Sequence, residues 1–585
     1  MRPPRGWDAG RLAATALGMA AAALVLWNVG AGRAPALAAG PDDEAAPASG
    51  IVRIDVDVSA DRRRIDPAIY GMAFASESHL RDLRLGSNRW GGNPNTRYNW
   101  EGNFWNKARD WKFWNYADDA PGDRTPAIVA DRFVAANRAA GVPVVFTIPT
   151  IGWVARNGDN STYSVDVPPR GGLPVRPGSE AIRGYDPAAN RKRTSVRSFA
   201  RKRGAYAFPP DLGDGVVYQD EFVHHLVRKF GHASEGGVRY YAMDNEPDLW
   251  AATHTDVHPV APGYDELLSR FLDYGTAVKA VDPSASITGP VSWGWTGYVH
   301  SPRDAVAGNW GGRPDRRAHG DMEFVPWFLS QVRRHDARAG RRTLDVLDVH
   351  FYPQAAGVFQ GETDALTNAL RLRSTRALWD PAYRDESWIG EAVRLVPRLR
   401  EWARRHYPGT KVAITEWNWG ADGTVNGGLA VAECLGIFGR EGLDLANYWT
   451  VPAAGSPGYN AFKLYRNPDG RGRGFGDVSV RARSQAPSAI SCFASIDTRT
   501  GDLVTMLLNK LPDRSLRASM ALRALSWRPA ETTVWQLDGA GALREGYAPI
   551  ESGGRYEIGL APSTATLVRY ERPAAGSAPE RGEKR

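Results

Sequence analysis

The run "VRYYAM" (238–243), followed directly by "DNEPDLW" (244–250), decides the architecture. Six mostly apolar residues, among them one Val and two Tyr, read as a buried strand, and Pro247 stops further pairing. The strand ends by crowding Asp244, Asn245 and Glu246 into one spot. A chain that spends two carboxylates and an amide at the end of a buried strand is building a site there. Chemistry gathered at strand ends is what the carboxyl-terminal face of a (β/α)₈ barrel carries.

The same rhythm recurs seven more times. Strands are expected at "IYGMAF" (69–74), "GSNRW" (86–90), "VPVVFTIP" (142–149), "SITGP" (286–290), "LDVLDVHFY" (344–352), "KVAITEW" (411–417) and "LANYW" (445–449). Helices fit between them at 126–140, 219–230, 264–281, 323–335, 391–406 and 427–440. Eight strands alternating with helices place the chain in the α/β class, with a (β/α)₈ TIM-like barrel over 65–455. An open doubly wound sheet is the alternative, but no Gly-rich phosphate fingerprint follows any strand.

Outside the barrel the pattern changes. Residues 456–572 hold short strands with turn signals, such as "AISCFASID" and "DLVTMLLNK", and almost no helix, so a second, smaller β-sandwich domain is expected. The alternating strand "IVRIDVDVS" (51–59) has no place in the eightfold count. Residues 40–64 therefore read as a linker plus an N-terminal strand that joins the sandwich. Residues 152–218 form a long Gly-, Pro- and Arg-rich insertion, within which "RKRTSVRSFARKR" (191–203) reads as a solvated loop. Residues 573–585 read as a disordered tail.

The first 39 residues combine Arg2, Arg5 and Arg11, an apolar core from Leu12 to Val29, and a small-residue "ALA" (36–38). That is a signal peptide and implies secretion, with an uncleaved anchor as the alternative. Its removal takes a net +3 from the formal +8 of the 585-residue chain. The remaining charge is scattered, and no nucleic-acid-binding fold surrounds the basic run. Two cysteines, Cys434 and Cys492, exclude a disulfide framework and a cysteine metal site. The 21 Trp fit either an aromatic core or a long carbohydrate cleft, and composition does not separate the two.

A barrel brings strand ends together, so Glu246 calls for a second acid. Glu416, in "VAITEWNWG" (412–420), ends the seventh strand and meets that need. Two facing carboxylates are what glycosidic cleavage requires, one protonating the leaving oxygen and the other stabilising or attacking the anomeric carbon. Asn245 is placed to hydrogen-bond a sugar hydroxyl. An ionised Glu416 needs donors, for which Arg89 and Tyr352 are the candidates, with His350 orienting a neighbour. The structural alternative is a helix start, with Asp244 or Asn245 as N-cap ahead of Pro247. Asp244 then either tunes Glu246 or caps that helix.

Four segments carry a resemblance: "YYAMDNEPDLW", "VAITEWNWG", "NRWGGNPNTRYNW" (88–100) and "LDVLDVHFYPQ" (344–354). Together they resemble the landmarks of glycoside hydrolase family 44, collinear from about 51 to 572. The resemblance implies a barrel with a β-sandwich and endo-cleavage of β-1,4-glucans such as xyloglucan and soluble cellulose derivatives. It further implies retention of configuration, with Glu246 as acid/base and Glu416 as nucleophile. No metal and no organic cofactor is called for. The partner is a polysaccharide, not nucleic acid, and the chain reads as a monomer. Trp90, Asn93, Trp153, Trp293, Trp417 and Trp449, at or after strand ends, are the substrate-binding candidates; at any single tryptophan core packing is the better reading, while as a group a few should line subsites. A xylanase or mannanase on the same barrel, and a polysaccharide-binding protein without turnover, remain the rival readings.

Overall fold

The computed structural model of the chain describes residues 47–111, 113, 115–117, 123–158, 194–306 and 312–573. The expected signal peptide and nearly all of the expected tail lie outside them. Eight parallel strands close into a barrel: Gly71–Ala73, Ser87–Trp90, Val144–Ile148, Tyr240–Met243, Ser286–Ser292, Val346–Phe351, Lys411–Trp417 and Leu445–Tyr448. Each lies within or over one of the eight expected runs. Alternation along the strands sorts their side chains. Val145, Tyr240, Ala242, Val346, Ala413 and Leu445 fill a small inner core, whereas Phe146, Tyr241, Met243, Leu347, Val412 and Ile414 belong to the large outer core that packs the helices.

The ring of helices includes Ile128–Ala139, Gln219–Phe230, Tyr264–Val281, Phe324–Ala339, Leu395–His406 and Val425–Glu441. One further helix corrects the expected boundary. Pro457–Arg466 follows the eighth strand, capped by the Ser456 hydroxyl with Pro457 in its first turn. It packs on the preceding helix, where the Tyr465 hydroxyl donates to the Ala432 carbonyl at 2.9 Å. It is the barrel's last helix, so the all-β region begins after it, at Val478–Ser484.

The all-β region contains the early strand, as expected. Ile51–Asp57 lies between Val478–Ser484, antiparallel, and Leu516–Arg523, parallel. Val478–Ser484 turns the corner. Its first half pairs with Ile490–Ile496 and its second half with Ile51–Asp57, so the continuous sheet folds over itself. Val52, Ile54 and Val56 share one core with Leu503, Leu507, Met520 and Tyr570. Within the insertion, Trp153–Ala155, Ser195–Phe199 and Val216–Tyr218 form a small three-stranded sheet. The described part of 191–203 is therefore not simply a solvated loop: Ser195, Val196 and Ser198 are buried in its central strand.

Candidate active site

The fourth strand ends at Met243, and the chain turns through Asp244 (φ 72°) and Glu246 (φ 47°). Left-handed backbone at a non-glycine residue costs about 1–3 kcal/mol and persists only where the surroundings enforce it. Asp244 supplies the enforcement. Its buried carboxylate accepts from the amides of Asn245, Thr150 and Ile151 and from the hydroxyls of Thr96 and Thr150, at 2.6–3.0 Å. Pro247 does open a short 3₁₀ turn, Pro247–Leu249, as the helix-start alternative held. Neither expected cap serves it, however. Glu246 occupies the N-cap place and makes no capping bond, which leaves its carboxylate free for the barrel mouth.

Glu416 and His350 are neighbours across the seventh and sixth strands, at a register shift that re-aims both. Arg89, fully buried on the second strand, donates to Glu416 Oε1 at 2.6 Å and to Asn245 Oδ1 at 2.7 Å. The Tyr352 hydroxyl donates to Glu416 Oε2 at 2.8 Å. His350 Nδ1 lies 2.9 Å from Glu246 Oε1 and 3.4 Å from Glu416 Oε2, bridging the two acids. A donor atom from each of Glu246, His350 and Glu416 falls within 4.8 Å of the others. Such a trio is compact enough for a cation, although Arg89 already occupies the other oxygen of Glu416. Asn245 is fixed as well. Its Oδ1 also accepts from the Gly92 amide, and its Nδ2 donates to Asn93, which in turn donates to Asp110. Gly91 is needed here because a Cβ at that position would overlap the Arg89 guanidinium.

The electrostatics separate the two acids. Burial raises Glu246 well above the usual carboxylate range, and negative Glu416 and then Asp248 push it further. Burial raises Glu416 too, but Arg89 and Tyr352 oppose it directly. Glu246 is therefore the member of the pair that keeps a proton, and Glu416 the one that ionises. Burial and Arg89 hold His350 well below its ordinary value, so its imidazole is neutral.

The tryptophans divide by strand face. Trp90 stacks on Phe146 and meets Phe133, Tyr98 and Trp105, and Trp417 packs against Phe438, Tyr448 and Phe462. Both are core side chains, 2% and 0% exposed, which is the core-packing alternative and excludes them as substrate-binding residues. The reason is the pleat: Arg89 and Glu416 point into the barrel mouth, so their successors point outward. Trp153 is half-buried and has the Arg197 guanidinium 4.7 Å from its ring centroid. Trp293 is buried with its amide donating to Asp248. Trp449 is buried too, at 9% exposed, and lies beside the acid pair, its ring centroid 6.0 Å from the Arg89 guanidinium and 6.4 Å from the Phe74 ring.

One aromatic was not among the expected residues. Trp388 is 53% exposed, and no other described tryptophan is as open. Its Nε1 donates to Gln354, and the Gln354 amide donates to the Tyr352 carbonyl, which ties the ring to the rim beside Glu416. Its position in a polar loop after the sixth strand was the available signal.

Comparison with known proteins places the chain in a family. The model of glycoside hydrolase family 44 matches residues 104–355. The chain is 34% identical over 492 residues to "Endoglucanase A" of Paenibacillus lautus, covering 80% of this chain and 65% of that protein, just under two thirds of its length. Among solved structures, CelM2, a bifunctional glucanase-xylanase from a metagenome library, is 38% identical with a TM-score of 0.77 over 89% of this chain and 99% of its own. A family 44 xyloglucanase from Paenibacillus polymyxa, solved with xyloglucan, is 31% identical with a TM-score of 0.77 over 89% and 100%. On these matches and the barrel that carries them, the chain belongs to glycoside hydrolase family 44.

Proposed function

We propose that this chain is a secreted, retaining endo-β-1,4-glucanase acting on xyloglucan and soluble cellulose chains. The observation that carries the reading is the approach of the two acids, with one donor oxygen of each within 4.8 Å. Retaining pairs stand about 5–5.5 Å apart because the nucleophile must touch the anomeric carbon, whereas inverting pairs need about 6.5–9.5 Å to admit a water.

In the first step Glu416, held ionised by Arg89 and Tyr352, attacks the anomeric carbon while Glu246 gives its proton to the departing glycosidic oxygen. Forming the ester cancels the charge on Glu416 that had raised Glu246. Glu246, now a carboxylate, takes a proton from water, and the water oxygen displaces Glu416. Asn245 has its Oδ1 saturated by Arg89 and Gly92, so it presents an N–H towards the sugar. Trp449 and Trp388 supply stacking faces along the cleft. The likeness to a bifunctional glucanase-xylanase supports xylan as a second substrate.

The test measures viscosity and reducing ends together on xyloglucan, carboxymethylcellulose, xylan and mannan, with Glu416→Ala as control. A fast viscosity drop with few new ends, absent in the variant, supports endo-cleavage. Turnover on none of the four by folded protein would leave polysaccharide binding as the better reading.

A further inference from the structure

The amino-terminal end of the barrel carries a second feature, on the face opposite the two glutamates. A cavity of about 410 Å³ opens where Lys411 begins the seventh strand, Arg239 precedes the fourth and Asp444 precedes the eighth. Arg400, on Leu395–His406, and Arg63 and Arg64, on a two-residue strand paired to Val478–Ser484, complete its wall. Five cations thus face one space, and Asp66 and Asp444 are the two carboxylates lining it.

Two carboxylates offset the five cations only in part. Asp66 accepts from the Ala68 amide and reaches Lys411 only at 3.8 Å. Asp444 accepts from the Val412 amide; burial pushes its pKa up, and Lys411 and Arg400 pull against that rise. Arg63 and Arg400 each spend one N–H on a carbonyl at the end of the helix Val425–Glu441, those of Arg440 and Gly442, which leaves their remaining donors for the cavity. No ion pair joins Arg64 or Arg239 to a carboxylate among the described residues, and the Arg239 guanidinium lies 5.2 Å from the Tyr240 ring centroid. Burial and the neighbouring Arg400 work against the charge on Arg63, while Glu441 and Asp61 support it; a bound anion would add to that support.

We propose that this basal cavity binds a tetrahedral oxyanion carrying two or more negative charges, as free phosphate or pyrophosphate or as a phosphate monoester. Arginine forks suit such oxygens, and the cavity volume accommodates one or two phosphoryl groups. Arg63 and Arg64 come from the β-domain side and the other cations from the barrel, so the bound anion ties the two together. The inference is independent of the proposed glucanase activity, since the cavity and the glutamate pair lie at opposite ends of the strands.

The test titrates the chain with phosphate, pyrophosphate and glucose 6-phosphate at constant ionic strength, by calorimetry and by thermal unfolding. The comparison is an Arg239→Ala/Lys411→Ala double variant, both positions being exposed. The expected result is saturable one-to-one binding with a rise in Tm, weakened at least about tenfold in the variant. The tighter of the inorganic and ester arms identifies the source. Binding that does not saturate in any arm, or that is equal in parent and variant, overturns the proposal.

Discussion

Replacing Arg89 by Ala probes the electrostatic arrangement at its centre. The guanidinium is fully buried and makes charge-assisted bonds of 2.6 and 2.7 Å to Glu416 and Asn245. Removing one partner of a buried ion pair costs about 3–5 kcal/mol, because the remaining charge is stranded away from water. If that whole amount falls on the transition state, kcat/KM drops roughly 200- to 5,000-fold at 1.36 kcal/mol per decade. The pH profile gives a second readout. Arg89 opposes the rise that burial imposes on Glu416, so without it Glu416 ionises at higher pH. The acid limb of kcat/KM, which reports formation of the nucleophilic carboxylate, must move to higher pH. The assay is initial rates on an aryl cello-oligosaccharide across pH 4–9, with circular dichroism to check folding and millimolar guanidine to attempt rescue. A folded variant with less than a threefold loss and an unmoved acid limb would refute this account of Glu416.

Two further outcomes follow from single side chains. Trp388→Ala should raise KM on long glucans about 5- to 30-fold, the loss of about 1–2 kcal/mol of buried aromatic area, while kcat on short aryl substrates stays close to the parent's. Michaelis–Menten analysis on both substrate lengths checks this, and an equal fall in kcat on both would contradict it. Asp244→Asn turns an amide N–H₂ towards donors that now meet a carboxylate, so the left-handed turn at 244–246 loses its anchor. The expected cost is about 2–4 kcal/mol of stability, seen as a lower Tm in a thermal scan, and an unchanged Tm would contradict it.

The barrel is readable because most strands are short apolar runs closed by polar or aromatic residues and alternate with longer helical stretches, although the second, Ser87–Trp90, is largely polar. Glu246 and Glu416 were legible for a related reason: each ends a strand where a buried run has no packing use for an acid. The misassigned residues mark what that reading left out. Trp90 and Trp417 directly follow Arg89 and Glu416, and the two-residue pleat forbids both members of either pair from facing the mouth. That constraint is present in the sequence itself. The helix Pro457–Arg466 begins with Ser456 and Pro457, a recognisable start, yet its ten residues sit among Gly and Pro and were absorbed into the β-region. The basal cavity had no local signature, because Arg63, Arg239, Arg400 and Lys411 are brought together only when the barrel closes. Trp388 lay in a loop, where no periodicity speaks for a side chain.

The assignment of roles within the acid pair is tested most directly by trapping the intermediate. Incubation with a 2-deoxy-2-fluoro cellobioside bearing a good leaving group slows both steps and the second more, so an ester accumulates. Peptide mass spectrometry should place a fluoroglycosyl adduct on Glu416, with none on the Glu416→Ala variant. An adduct on Glu246, or a product released with inverted configuration and no adduct at all, would contradict the roles assigned to the two glutamates.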